Sequence, residues 1–423
     1  MSYRLSTAGQ HAYGIAEILK QQVRLAKTQQ QVASGERISS PADDPVAAVR
    51  ILGLERAQAQ LEQFGKNAGM ATDRLSLGET ALTDLNTLLQ RVHALTVQAN
   101  NGTLDNTSLK SIAAEVRVRA AELQDLGNRQ DSNGEYLFAG YSTGTRPFSD
   151  SGSGVSYAGD QGVRQLQISA SQSIADGFSG QRVFMDIPEG NGRFVVEDGT
   201  NSITPGANQG TATIGAGQVV NAADWAAAGG AALTVRFSDN TVPADGVAES
   251  WALLDAGGNP VLDGATPVQG TYVPGNSISF LGIQFTLSGV PAAGDSFTVR
   301  PAGKVSLFES LDELATALEG GAGTPQQQAV LGSNLGKALA QLDQGMIQAT
   351  NVRTEIGARL ASLDTAATLR DDLDIELAAS VSELKDVDYA DAISRLNQQL
   401  TGLQAAQAAY SKIGQMSLFD WLR

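Results

Sequence analysis

The residues able to do chemistry are few and scattered. The 423-residue chain has no cysteine and only two histidines, His11 and His93. Thiolate nucleophiles, disulfides, iron–sulfur clusters and thiolate zinc sites are therefore excluded, and no HExxH-like spacing supplies a histidine zinc site. Adjacent carboxylates occur at Asp43-Asp44, but Asp44 precedes Pro45. That is a helix start: the carboxylate takes free N–H groups, and proline occupies the first turn without losing a donor. Asp386, Asp388 and Asp391 lack the glycine and distal glutamate of a calcium loop and read as another helix start. Asp255-Ala-Gly-Gly-Asn259 lies between strand-like runs and reads as a turn. A sugar-hydrolysing module would need paired carboxylates across a cleft; Asp224 and Asp239 are unsupported candidates, and a β core absorbs Trp225, Trp251 and Tyr272 without further explanation. No nucleophile elbow, P-loop or dinucleotide fingerprint stands between a strand and a helix. No catalytic, cofactor-binding or metal-binding residue is assigned, no cofactor is expected, and the chain reads as a non-enzyme.

The elements that would have to position a site point elsewhere. With 45 acidic against 29 basic residues the formal charge is −16, which argues against nucleic acid and anionic membrane as partners. No apolar run approaches the length of a spanning helix, so membrane insertion is not expected, and the start lacks the basic and apolar regions of a cleavable signal peptide. Both ends are rich in Gln, Leu, Ala and Arg, whereas residues 149–303 lose lysine and gain Gly, Val, Phe, Thr and Ser. The expected fold is a multidomain α+β protein: an elongated helical bundle or coiled coil built from the N- and C-terminal arms, with an inserted antiparallel β-rich domain. The expected domains are terminal amphipathic helices at 1–40 and 385–423, a helical rod at 41–148 and 304–384, and an outer β domain at 149–303.

Leu54, Ala57, Leu61, Phe64, Ala68, Ala71, Leu75, Gly78, Leu82, Leu85, Leu89 and Val92 follow alternating steps of three and four. This predicts a coiled-coil helix of roughly 60 Å. A third helix follows, capped by Asn106 or Thr107. Leu307 to Leu318 gives a short helix stopped at Gly320 and Gly321, and Leu331 to Leu363 a longer one with a stutter near Ile356. Strands are predicted at Leu233–Phe237 and Ile283–Leu287, with a hairpin turn over Asp255–Pro260. The end helices carry apolar stripes at Ile15, Ile18, Leu19, Leu25 and Val32 and at Ile393, Leu396, Leu400, Leu403 and Tyr410, widened at the start by Val23 and Ala26. Paired only with each other, two such helices bury little surface. Burial against neighbouring copies is the preferred reading, and these ten residues are the expected assembly interface.

The segment Gln29 to Ala48, which holds Gly35, Arg37, Ile38, Asp43 and Asp44, resembles the N-terminal signature of bacterial flagellins. Asp388-Tyr-Ala through Leu400, with Ala405-Ala-Gln-Ala408, resembles their C-terminal signature. Within that family the Arg4-Leu-Ser-Thr7 start, Gly134 to Phe148 (with Phe138, Gly140 and Pro147), Tyr157-Ala-Gly-Asp160, Ser179 to Phe184 and Ser417 to Leu422 are similar to the subunits at the junction of hook and filament. The resemblance implies a structural protein of the extracellular flagellum, exported by the flagellar type III apparatus and assembled as a homo-oligomeric ring. Implied partners are a hook-side hook-associated protein, flagellin and a cytoplasmic export chaperone. A filament flagellin is the alternative within the family.

Overall fold

The computed structural model describes residues 7–102, 104–152, 154–240 and 246–415. The Arg4 segment before Thr7 and the Ser417–Leu422 ending lie outside the described residues, as does the His11 side chain. The chain is an α+β protein with long helices first and last and antiparallel strands between. It divides into two units, 1–67 with 364–423 and 68–363.

The first unit holds α1 (Thr7–Ser34), the start of α2 (Pro45–Ala99), the end of α6 (Pro325–Lys385) and α7 (Tyr389–Gln415). α1 and α7 pair antiparallel, with Gly14 against Tyr410 and Gly35 against Tyr389. Ile38, Ala47 and Ile51 form a small core with Leu384.

The second unit contains the rest of α2 and α6, with α3 (Asn106–Gly127) and α5 (Leu307–Gly320) packed together. The α2 heptad pattern forms the seam expected of it. Leu75, Leu82, Leu85, Leu89 and Val92 are buried, as are Leu335, Leu342, Val352 and Ile356 of α6. Burying each such side chain contributes about 1.5–3 kcal/mol. The cap of α3 differs from expectation. Asp105, in extended conformation, accepts the Ser108 N–H, while the Asn106 side chain accepts from Ala322 N beyond the C-terminus of α5. A carboxylate one residue earlier outcompetes Asn106 because it is also favoured by the helix dipole.

Small hairpins follow α3: β1 (Phe148–Asp150) with β2 (Val155–Tyr157), and β3 (Gln165–Gln167) with β4 (Ser173–Ala175). A π-helical turn at Gln181–Met185 leads into β5 (Ile187–Pro188). The large β block comprises β6 (Phe194–Asp198), β7 (Thr213–Val219), a short α4 (Ala222–Ala227), β8 (Leu233–Ser238), β9 (Ser250–Leu254), β10 (Leu262–Asp263), β11 (Thr266–Pro267), β12 (Gln269–Thr271), β13 (Ser277–Phe280), β14 (Ile283–Ser288) and β15 (Ser296–Pro301). A five-stranded sheet, β12-β9-β8-β15-β6, and a three-stranded sheet, β13-β14-β7, share one core that includes Val235, Phe237, Leu253, Phe285, Phe297 and Val299. In β8 and β14 alternate residues are buried, the period of a strand with one covered face. The chain leaves the block through β16 (Lys304–Val305), which pairs with β5.

Candidate assembly site

α1 is free of proline and runs 28 residues. Of its stripe, Leu25 is buried and Ile18 and Val32 are half-buried; on α7, Leu396, Leu400, Leu403 and Tyr410 are half-buried beside a fully buried Ala392. Polar residues interrupt this seam. Thr28 is buried, and the amide oxygens of Gln21 and Gln399 are buried without a hydrogen-bond partner. Each unsatisfied group costs about 1–3 kcal/mol, so the pairing is weak for its length. Ile15, Leu19 and Val23, at successive i,i+4 positions, are 46%, 55% and 68% exposed, and Ile393 of α7 is 47% exposed. The structure thus brings seven of the ten stripe residues to buried or half-buried positions and leaves Ile15, Leu19 and Ile393 facing water.

The connection between α1 and α2 is a built joint. Gly35 has φ +76°, a conformation that costs other residues about 1–2 kcal/mol, and it ends α1. Two backbone rungs tie this connection to the one before α7: Arg37 N–H donates to Lys385 O (2.7 Å) and Val387 N–H to Gly35 O (2.9 Å). The Arg37 guanidinium donates to Leu384 O at 2.6 Å, near the C-terminal end of α6 where cations are favoured. Ile38 is buried in the small core. Asp43 sits 2.7 Å from the Lys27 ammonium and accepts from the Ser39 and Ser40 N–H groups. The lysine first, and then the Ser40 N–H, hold its carboxyl down to about 2. Asp44 accepts from Val46 and Ala47 N–H and so caps α2, as Asp388 caps α7 through Ala390 and Asp391. Both carboxylates thus serve as helix caps.

The signature at Gly134–Phe148 lies in the second unit. Gly134 (φ +80°) closes the turn after Asp131, and Gly140 (φ +73°) sits against Asp160. Asp160 accepts from Tyr141, Ser142 and Gly162 N–H, and the Tyr141 N–H is the first of the bonds holding its pKa low. Pro147 is buried and its carbonyl accepts from Ala158 N–H. Phe148 contacts the rings of Tyr157, Phe184 and Phe308, and Phe184 in turn meets Phe138 edge-on. Sequence reasoning missed the residue at the centre of this region. Arg74 is 6% exposed and pairs with Asp131 at 2.9 Å and Glu135 at 3.4 Å while donating to Tyr136 O. The signal was an arginine set between Ala71 and Leu75 in an otherwise apolar seam. His93 lies 3.6 Å from Asp343 at 35% exposure, and among the described residues no cluster of His, Asp or Glu could hold a metal. No described helix is long and apolar enough to cross a membrane.

Comparison with known proteins matches both arms. The bacterial flagellin N-terminal helical region matches residues 7–143 and the bacterial flagellin C-terminal helical region residues 339–422. The flagellar hook-associated protein 3 of Escherichia coli is 35% identical over 184 residues, 44% of this chain and 57% of that protein. The chain therefore spans little more than half the length of the curated relatives it matches. Among solved structures, FlgL of Xanthomonas campestris is 29% identical with a TM-score of 0.68, covering 78% of this chain and 99% of that one. The flagellar hook-associated protein 3 of Legionella pneumophila is also 29% identical, with a TM-score of 0.71 over 79% of this chain and 98% of that one.

Proposed function

We propose that this chain, which belongs to the bacterial flagellin family, is a structural, non-catalytic adaptor that joins the flagellar hook to the flagellin filament by assembling into a ring. The likeness to hook-associated protein 3 and FlgL, which extends over more than three quarters of the chain, carries the reading. Residues 1–40 and 385–423 supply the assembly core, 41–148 and 304–384 the rod, and 149–303 the outer surface. Ile15, Leu19 and Val23 with Ile393 bury against neighbouring copies. Each such side chain contributes about 1.5–3 kcal/mol when removed from water, while the Gln21 and Gln399 amides keep the internal pairing weak enough to yield to that packing. Gly35, Arg37, Ile38, Asp43 and Asp44 hold the turn between the terminal and rod helices, and the Gly134–Phe148 segment packs Phe138 and Phe148 into the aromatic cluster with Phe184 and Phe308.

In the cell the chain travels through the flagellar type III apparatus, with a chaperone groove covering the apolar side of α7, since an amphipathic helix requires such cover before assembly. It then meets a hook-side hook-associated protein on one face and flagellin on the other. Isolated hooks from a strain lacking this protein test the role directly. Adding the purified chain restores flagellin polymerisation on the hook tip if it is the adaptor. Polymerisation of the chain itself into long filaments would make it a flagellin.

A further inference from the structure

Asparagine followed by glycine occurs at Asn101-Gly102, Asn133-Gly134 and Asn191-Gly192. Such a pair carries its own nucleophile and electrophile: the glycine nitrogen, once it has lost its proton, lies within reach of the asparagine side-chain carbonyl carbon, and glycine puts no Cβ in the way. The fold treats the three pairs differently. The Gly192 N–H donates to Glu189 O at 2.9 Å, and the Asn191 amide is tied at both ends, donating to Gly217 O at 3.0 Å and accepting from the Arg193 and Phe194 N–H groups. The Gly134 N–H donates to Asp131 O at 3.1 Å. The third pair lies beyond the C-terminus of α2. There Asn101 and Gly102 are both exposed, and a Cβ on Gly102 would meet nothing within 4 Å. The backbone bonds run from Asn101 N–H to Gln98 O and from Leu104 N–H to Asn101 O, and among the described residues no acceptor takes the Gly102 N–H.

We propose that Asn101 is a self-modification site, converted without an enzyme to aspartate and isoaspartate, while the fold holds back the same dipeptide at 133 and 191. The Gly102 nitrogen gives its proton to hydroxide or water and bonds to Cγ of Asn101. The Cγ–Nδ2 bond then breaks, the nitrogen leaves as ammonia with a proton from solvent, and a cyclic imide remains. Water opens the imide at either carbonyl, so the net change is one water taken up and one ammonia released, with nothing oxidised or reduced. A nitrogen whose N–H is already donated to a carbonyl is harder to deprotonate. Opening that bond first delays the reaction by roughly fivefold to tenfold, the net worth of one such hydrogen bond. Asn191 must also release its side-chain amide. The product places a new carboxylate just past the C-terminal end of α2, where negative charge is disfavoured. Isoaspartate further lengthens the main chain between α2 and the Asp105 that caps α3.

Peptide mass spectrometry of the full chain, kept folded in mildly alkaline buffer and sampled over time, reads each site through the small mass gain that replacement of NH2 by OH brings. A parallel sample unfolded in urea gives the order of the three sites without the fold. The predicted result is conversion of Asn101 roughly fivefold to tenfold ahead of Asn133 in the folded chain, and further ahead of Asn191, with the three sites converting at similar rates in urea. Gly102→Ala, whose methyl group has open space, slows Asn101 and leaves the other two sites unchanged. Conversion of Asn133 or Asn191 as fast as Asn101 in the folded chain overturns the proposal. So does an Asn101 that stays intact when folded yet converts in urea, or an equal lead for Asn101 in both samples, which would assign the preference to local sequence instead of the fold.

Discussion

Single residues decide where this chain may bend and where it may not. At Gly140 the backbone is left-handed, and a Cβ would stand 2.4 Å from the Asp160 carbonyl oxygen. Gly140→Ala is expected to cost more than about 2 kcal/mol, measurable as a lower denaturant midpoint. Arg74→Met takes the guanidinium from Asp131, which is 9% exposed and keeps the Asn133 and Glu135 N–H donors, and is expected to cost about 3 kcal/mol in the same measurement, since a buried charge loses its ionic partner. Asp43 carries a pH prediction. Its lowered carboxyl keeps the pairing with Lys27 complete above the ordinary 3.8 and loses it as the pH falls through about 2. Protection of the Ser39 and Ser40 amides should therefore be level from neutral to about pH 4 and collapse only in stronger acid; collapse already at pH 5 would contradict that account. Asp44 was legible as a cap because Pro45 follows it. Arg74 was not, because its acidic partners lie 57 and more residues further on, and no local pattern announces such a pair.

At the scale of elements, periodicity carried most of the information. The α2 series from Phe64 to Val92 and the α6 series around Leu342 to Ile356 are buried where the heptads require, and β8 and β14 alternate as strands with one covered face. What a stripe packs against is not written in its period. Ile15 and Ile18 belong to one sequence pattern, yet Ile15 is 46% exposed while Ile18 lies half-buried. Nor could composition choose how eight strands divide into two sheets, because those pairings join residues as distant as Arg300 and Val195. The division of the α1 surface gives a test. Ile15→Asp combined with Leu19→Asp is expected to change stability by no more than about 0.5 kcal/mol and to abolish assembly in a sedimentation assay with hooks. Leu25→Asp, at the buried seam, should instead separate α1 from α7, seen as a loss of helical signal. If the double variant assembles normally, the exposed stripe is not the interface.

For the whole molecule, the central claim is a division of labour. On the proposed reading the terminal helices pair weakly inside the chain and strongly between copies, while buried helical seams and the core of the β block carry stability. The match of both arms to the flagellin helical regions fits a structural role. Electron microscopy of cells lacking this gene, with the culture medium assayed for unpolymerised flagellin, tests that claim most directly. Completed hooks without filaments, with flagellin lost to the medium, are predicted. Hooks that still bear filaments and retain their flagellin would contradict the junction role.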